Sequence, residues 1–227
     1  MIIVLVDLEP RIDRMELAAI SADLETARPE DVIEWAVNRF GRDLTIACSF
    51  QHCVIIDMTV RVDPEVEVLF LDTGYHFRET LAFVEEVRQR YDLNLRIQRP
   101  VPEADGVTCG SEGCCELRKV QPLNAALAGK AAWISGLKRV DTEHRADAPV
   151  VVWDDRRRMV KINPLAAWTD ADVENYSDDR ALPVHPLAAR GYLSIGCAPT
   201  TRPVPADGNR RAGRWWGEAK TECGLHL

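Results

Sequence analysis

The chain has 227 residues, 46% of them hydrophobic, with a formal net charge of -8 at pH 7 and a pI near 5.2. This length can bury one sizeable core, and the acidic balance excludes a general nucleic-acid binder, which needs an excess of Lys and Arg to displace phosphate counterions. The apolar residues 1–6 are interrupted by Asp7, Glu9 and Arg11 without the flanks of a signal peptide, and no apolar run reaches the ~20 residues that span a bilayer, so no membrane role is expected. Seven cysteines cannot all pair within the chain, and without an export signal the expected setting is a reducing cytoplasm with free thiols.

Residues 12–40 carry apolar positions at helical spacing, with Pro29 opening a second segment. A β-like run at 43–49 leads through a short turn into a helical stretch at 53–62, closed by Pro64. A second β-like run at 66–71 ends at Asp72-Thr73-Gly74, an amphipathic helix follows at 79–91, and a third strand at 93–99. This alternation predicts an α/β fold with a parallel sheet covered by helices on both faces. Residues 100–113 are irregular, 116–128 read as helix, and 131–136 as a fourth strand. Two further runs, 150–153 and 159–162, flank the charged turn Asp154-Asp155-Arg156-Arg157-Arg158 and suit a hairpin whose arginines are solvated. Thr169 caps a short helix with Asp170 and Asp172 in its first turn, where the helix dipole favours negative charge. From residue 187 onward the chain is rich in Gly, Pro and Arg, giving an expected division into an α/β domain (1–186) and an arm or lid (187–227).

Ligands of open parallel sheets bind beyond the carboxyl ends of the strands. Three polar turns fall there: Ser49-Phe50-Gln51, Asp72-Thr73-Gly74-Tyr75-His76 and Gly136-Leu137-Lys138-Arg139. The first precedes a helix, where free backbone N–H groups favour an anion such as phosphate or sulfate. Neither a dinucleotide-binding glycine pattern nor a P-loop is present. Arg202, Arg210, Arg211 and Arg214 on the arm could fold over a dianion.

Cys48 and Cys53 sit in apolar surroundings and read as inert. Cys114, Cys115 and Cys197 look like metal ligands; adjacent cysteines suit an iron–sulfur cluster better than a zinc ribbon, and Cys109 is open. Cys223 stands apart on the tail, with Lys220 and His226 near it to favour a thiolate, the nucleophilic form.

Together these stretches resemble the assimilatory adenylyl-sulfate reductases of the phosphoadenylyl-sulfate reductase family, in particular the actinobacterial type. The resemblance rests on Ser49-Phe50-Gln51, Leu71-Asp72-Thr73-Gly74-Tyr75-His76-Phe77, Cys114-Cys115-Glu116-Leu117-Arg118-Lys119-Val120, the strand end from Trp133 to Arg139, Lys161-Ile162-Asn163-Pro164-Leu165, Ile195-Gly196-Cys197, Gly213-Arg214-Trp215 and the tail from Lys220 to His226. It implies an adenine-nucleotide α-hydrolase-like fold and reduction of adenylyl sulfate to sulfite and AMP. Cys223 would be the catalytic nucleophile, forming an S-sulfocysteine that thioredoxin resolves. Ser49, Phe50, Gln51, Asp72, Thr73, Gly74, Lys119, Gly136, Arg139, Arg211 and Arg214 would bind substrate. Cys114, Cys115 and Cys197 would hold a 4Fe–4S cluster.

The family's cluster pattern ends in Cys-x-x-Cys, whereas this chain has Thr200 at the last position. Either Cys109 substitutes, or an oxygen ligand serves, or the cluster is labile or absent. The rival readings are a cluster-free reductase of the 3′-phosphorylated nucleotide, an ATP-splitting enzyme of the same fold, and a metal-binding module with an inert Cys223. The family's ATP-splitting neighbours carry a Ser-Gly-Gly-x-Asp-Ser turn that Ser49-Phe50-Gln51-His52 does not match. Homo-oligomerisation stays open.

Overall fold

Leu44–Ala47 (β1), Glu67–Leu71 (β2), Leu95–Gln98 (β3), Ala132–Ser135 (β4), Val151–Asp154 (β5) and Met159–Ile162 (β6) form one sheet in the order β3-β2-β1-β4-β6-β5. All neighbours are parallel except β5, which pairs antiparallel with β6. These elements come from a computed structural model in which residues 13–205, 209–216, 220 and 222–226 are described; the apolar run at 1–6 lies outside them. The expected parallel sheet and terminal hairpin are both present.

Side chains alternate across each strand, so the central strands β1, β2, β4 and β6 feed two cores. On one face Ile46, Val68, Phe70, Ile134 and Ile162 pack with residues of Pro29–Phe40 (α2), Val54–Val62 (α3) and Arg78–Tyr91 (α4). On the other, Leu69, Trp133 and Met159 pack with Leu123, Ala126 and Leu127 of Gln121–Leu127 (α5). Arg14–Asp23 (α1) is a short helix that packs Leu17 into the first core and is capped by Asp13, whose side chain accepts from Met15 N–H. Asp170–Asp179 (α6) starts with the expected Thr169 cap, completed as a reciprocal box with Asp172.

The hairpin arginines differ from expectation at one position. Arg156 and Arg158 are exposed, but the Arg157 side chain is 3% exposed, paired with Asp154 at 2.8 Å and set over the Trp133 ring at 5.3 Å. Burial is possible because Asp154 and the indole face supply the opposite charge and π density that a desolvated guanidinium needs.

Strand order runs outward from β1 to β2 and β3, then returns to place β4 on the other side of β1. The crevice beyond the carboxyl ends of β1 and β4 is therefore a topological switch point, where such sheets bind ligands. Residues of the arm close over it, with Leu187, Ile195, Cys197 and Trp215 buried. The arm is stiffened by a two-stranded contact in which Arg202 N–H donates to Gly213 O and Trp215 N–H to Thr200 O, both at 2.9 Å. Only glycine fits at 213, because a Cβ there would lie 2.1 Å from the Arg202 carbonyl oxygen.

Candidate active site

The switch-point crevice is a cleft of about 210 Å³. Of the residues expected to bind substrate, Ser49, Gln51, Thr73, Lys119, Gly136, Arg211 and Arg214 line it, and so does Cys223. Sequence positions more than 170 residues apart thus meet because β1 ends at one wall and the tail returns to the other.

Four expected residues lie elsewhere. Phe50 is fully buried, takes a left-handed backbone (φ 55°) and packs edge-on against Phe70 at 5.4 Å, so it turns the loop without facing the cleft. Asp72 accepts from Gly74 N–H at 3.0 Å and shapes its own turn, which Arg118 buttresses by donating to Thr73 O at 3.0 Å. Arg139 donates to Glu25 at 2.8 Å and to Ala148 O at 2.9 Å, which draws it to a separate depression beside Arg210 and Arg211. Gln51 fastens the arm as well as lining the cleft, accepting from Ile195 N–H at 3.0 Å and donating to Leu193 O at 3.2 Å.

The basic end of the cleft is built from two segments. The Cys114-Cys115 pair opens a helix that continues as a π-turn over Glu116–Val120, and this turn buries Lys119 to 9% exposure. Such turns recur at functional sites because the widened backbone re-aims a side chain. Burial disfavours the Lys119 ammonium, but negative charge at Cys197, Cys223 and Cys115 outweighs it and its pKa is raised. From the arm, Arg214 donates to Ser194 Oγ at 3.3 Å and to Ile195 O at 3.2 Å. A Cβ at Gly196 would sit 2.2 Å from the Arg214 guanidinium, so the missing side chain is what lets Arg214 lie there. Burial pushes the pKa of both Arg211 and Arg214 down, with Cys223 countering it in each case.

The tail is seated by three contacts. Glu222 accepts two 2.7 Å bonds from Arg145 and one at 2.9 Å from Thr142. Leu225 packs beside Ala47 and Leu71 against the second core. His226 stacks on Trp133 with centroids 6.0 Å apart. Burial and the nearby Lys161 hold the His226 pKa well below its ordinary value, so the ring is neutral. Lys220 goes to Cys115 Sγ at 3.2 Å. Lys220 is thus drawn to Cys115 and the His226 ring is neutral, while Lys119, Arg211 and Arg214 are cations on which Cys223 acts electrostatically, a grouping the folded tail makes and the local sequence does not show. Arg145 and His52 also line the cleft and were not singled out as site residues. The half-buried His52 ring, its pKa lowered to about 4 by desolvation and then by Lys138, carries no sequence mark beyond its place in the first turn.

The remaining thiols fall in different environments. Burial pushes both Cys48 and Cys53 up to about 12, which keeps them inert. Cys114 and Cys197 are buried, and Cys197 Sγ lies 3.4 Å from Thr73 Oγ1. The Cys109 thiol hydrogen-bonds Cys197, which pushes Cys197 down and Cys109 up; burial resists the ionisation of Cys197, and Lys119 favours it. Among the described residues no three His, Cys, Asp or Glu side chains converge as ligands of a single metal ion.

Residues 43–203 match the phosphoadenosine phosphosulfate reductase domain. The chain is 45% identical over 217 residues to the adenosine 5′-phosphosulfate reductase of Mycolicibacterium smegmatis, covering 91% of this chain and 92% of that one. A crystal structure of phosphoadenylyl-sulfate reductase from Candida auris superposes with a TM-score of 0.71 at 27% identity, covering 84% of this chain and 98% of that one. The FMN adenylyltransferase of Candida glabrata, at 15% identity and a TM-score of 0.62 over 83% of this chain and 67% of its own, shares the fold alone.

Proposed function

The chain belongs to the phosphoadenosine phosphosulfate reductase family, and from that premise we propose that it reduces adenosine 5′-phosphosulfate to sulfite and AMP with thioredoxin as reductant, in cytoplasmic sulfate assimilation. The observation that carries this reading is the placement of Cys223 in the switch-point cleft with Lys119, Arg211 and Arg214. A thiol nucleophile, a nucleotide crevice and cations for an anionic leaving group occupy one site.

The chemistry follows from those groups. The Cys223 thiolate attacks the sulfur of the substrate's sulfuryl group, an S–S bond forms, and the S–O bond to the phosphate breaks with its electron pair leaving on AMP. Lys119, Arg211 and Arg214 offset the charge that gathers on the phosphate oxygen as that bond breaks. A thioredoxin thiolate then attacks Cys223 Sγ, sulfite departs with the S–S electron pair, and the second thioredoxin thiol closes its disulfide while Cys223 returns as thiolate. Two electrons pass from the dithiol to the sulfur.

Substrate entry requires tail movement. Beneath the seated tail the cleft holds about 210 Å³, less than the ~300 Å³ at the lower end of small-molecule sites. The tail lifts to admit nucleotide, seats Cys223 for the first step, and lifts again to expose the sulfocysteine to thioredoxin.

A 4Fe–4S cluster belongs to this reading. The donor chemistry fits: Cys115 and Cys197 act electrostatically on Lys119, Cys114 is the buried neighbour of Cys115, and Thr73 and Lys220 offer hydrogen bonds to two of the sulfurs. Cluster thiolates sit on different irons, so they need not converge as ligands of one ion must. Bound there, the cluster would supply a fixed charge distribution behind Lys119.

The test is sulfite formation with thioredoxin from adenosine 5′-phosphosulfate and, in parallel, from its 3′-phosphorylated form. A kcat/KM favouring the unphosphorylated nucleotide is expected. Preference for the 3′-phosphorylated one, or no sulfite from either, would overturn the assignment.

A further inference from the structure

The sequence leaves three cysteines where a cubane needs four thiolates, because Thr200 stands at the fourth position. Cys109 lies in the loop before the Cys114-Cys115 pair, 91 residues away from Thr200 in the chain, yet its Sγ is 4.0 Å from Thr200 Oγ1. The sulfur absent at 200 is thus replaced in space by a sulfur from another segment.

That placement is held by contacts outside the thiols. Tyr75 bridges the two segments: its carbonyl accepts from Ala198 N–H at 2.7 Å, next to Cys197, and its hydroxyl donates to Val107 O at 3.0 Å, two residues before Cys109. Arg118, on the turn that follows the cysteine pair, lies 4.5 Å from the Tyr75 ring centroid and donates to Ala104 O at 2.6 Å and Val107 O at 3.2 Å. Ser111 N–H donates to Thr108 O at 3.2 Å and Cys114 N–H to Ser111 O at 3.2 Å, two tight turns that fold Cys109 back beside the pair. Three chain segments, each bearing cysteine, are thus stitched to one another. The Cys109-x₄-Cys114 spacing is one that known iron–sulfur proteins use for ligands of a single cluster.

We propose that Cys109 is the fourth thiolate of the iron–sulfur site, completing with Cys114, Cys115 and Cys197 a ligand set in which Thr200 takes no part. This rests on the cluster reading given above. Each of the four thiols gives up its proton and bonds one iron, and Thr200 keeps its backbone role of accepting from Trp215 N–H.

The experiment uses the full chain, purified without oxygen and reconstituted with ferrous iron and sulfide, and reads iron, acid-labile sulfide and the EPR spectrum. The unsubstituted protein is expected to hold about four iron per chain, as a cubane requires. Cys109→Ser is expected to lose at least half of it or to yield a three-iron signal, and Thr200→Cys added to Cys109→Ser to regain the four-iron cluster, which a folding defect would not allow. Alkylation mapping of the unsubstituted loaded protein supplies a second readout: Cys109 is expected to be protected together with Cys114, Cys115 and Cys197, and released with them by a chelator. A full four-iron cluster in Cys109→Ser, or free alkylation of Cys109 in loaded protein, would overturn the assignment. If the unsubstituted chain binds no iron while Thr200→Cys does, Cys109 does not substitute although the scaffold can hold a cluster. If neither binds iron, the cluster reading itself fails and the Cys109 assignment with it.

Discussion

Arg214 shows how one absent methyl group sets a functional side chain. The guanidinium fills the space where a Cβ at Gly196 would be, 2.2 Å away, and is fixed by Ser194 and Ile195. Gly196→Ala should leave the fold intact and push Arg214 out of register with the cleft. Removing a preorganised charge contact of this kind costs ~10²–10³ in kcat, and steady-state sulfite formation with unchanged thermal unfolding would show it. Phe50 makes the opposite prediction. Its fully buried ring lies behind the first cleft turn, so Phe50→Ala should destabilise by ~3–5 kcal/mol, the usual range for a buried Phe, measurable by urea unfolding. The motif Ser49-Phe50-Gln51 reads from sequence as three ligand contacts, but alternation along the loop sends Phe50 inward and leaves its neighbours at the cleft. Residue type could not separate these roles; left-handed backbone at a non-glycine position is visible only in the fold. Arg139 went elsewhere for a similar reason, because Glu25 on the distant N-terminal segment captures it.

At the scale of elements, the tail is a latch. The Glu222 side chain is 4% exposed, with Arg145 at 2.7 Å and Arg211 at 3.9 Å. Burial opposes ionisation of Glu222, but hydrogen bonds from Arg145 and the surrounding positive charge outweigh it, so its pKa is lowered. A carboxyl whose closed-state pKa lies below the open-state one favours closure fully above the ordinary glutamate range. That contribution is lost as pH falls through the lowered value. Alkylation of Cys223 should therefore be slow at neutral pH, and the tail should open on acidification below the ordinary glutamate range, which hydrogen exchange of residues 222–226 would follow. Glu222→Gln should raise the Cys223 alkylation rate at neutral pH by at least about tenfold, since hydrogen bonds to charged groups contribute ~1.5–3 kcal/mol. The tail motif was legible as a set of residues, and the Thr169 cap and the hairpin were legible as elements. The Glu222–Arg145 pair was not, because it joins residues 77 apart. Nor was the π-turn at Glu116–Val120, whose sequence carries the same periodicity as an ordinary helix.

At the scale of the molecule, the sheet reversal between β1 and β4 opens one crevice, and the arm delivers Arg210, Arg211, Arg214 and Cys223 into it, while Arg202 lies over the Trp216 ring instead. Alternating strand and helix patterns made the sheet readable, since periods of two and 3.6 residues mark the elements directly. How the arm packs was less so, because Gly-, Pro- and Arg-rich chain has no periodic face; its path is set by the Gly213 close approach, the Gln51 clamp and the buried Trp215. The account depends on this delivery bringing Cys223 to the sulfur of the bound nucleotide. The direct measurement is intact mass of the full chain mixed with adenosine 5′-phosphosulfate in the absence of any thiol reductant, followed by peptide mapping. A gain of one SO₃ group confined to Cys223, absent from Cys223→Ser and discharged as sulfite by reduced thioredoxin, is the expected result; no gain in mass, or a gain on another cysteine, would contradict it.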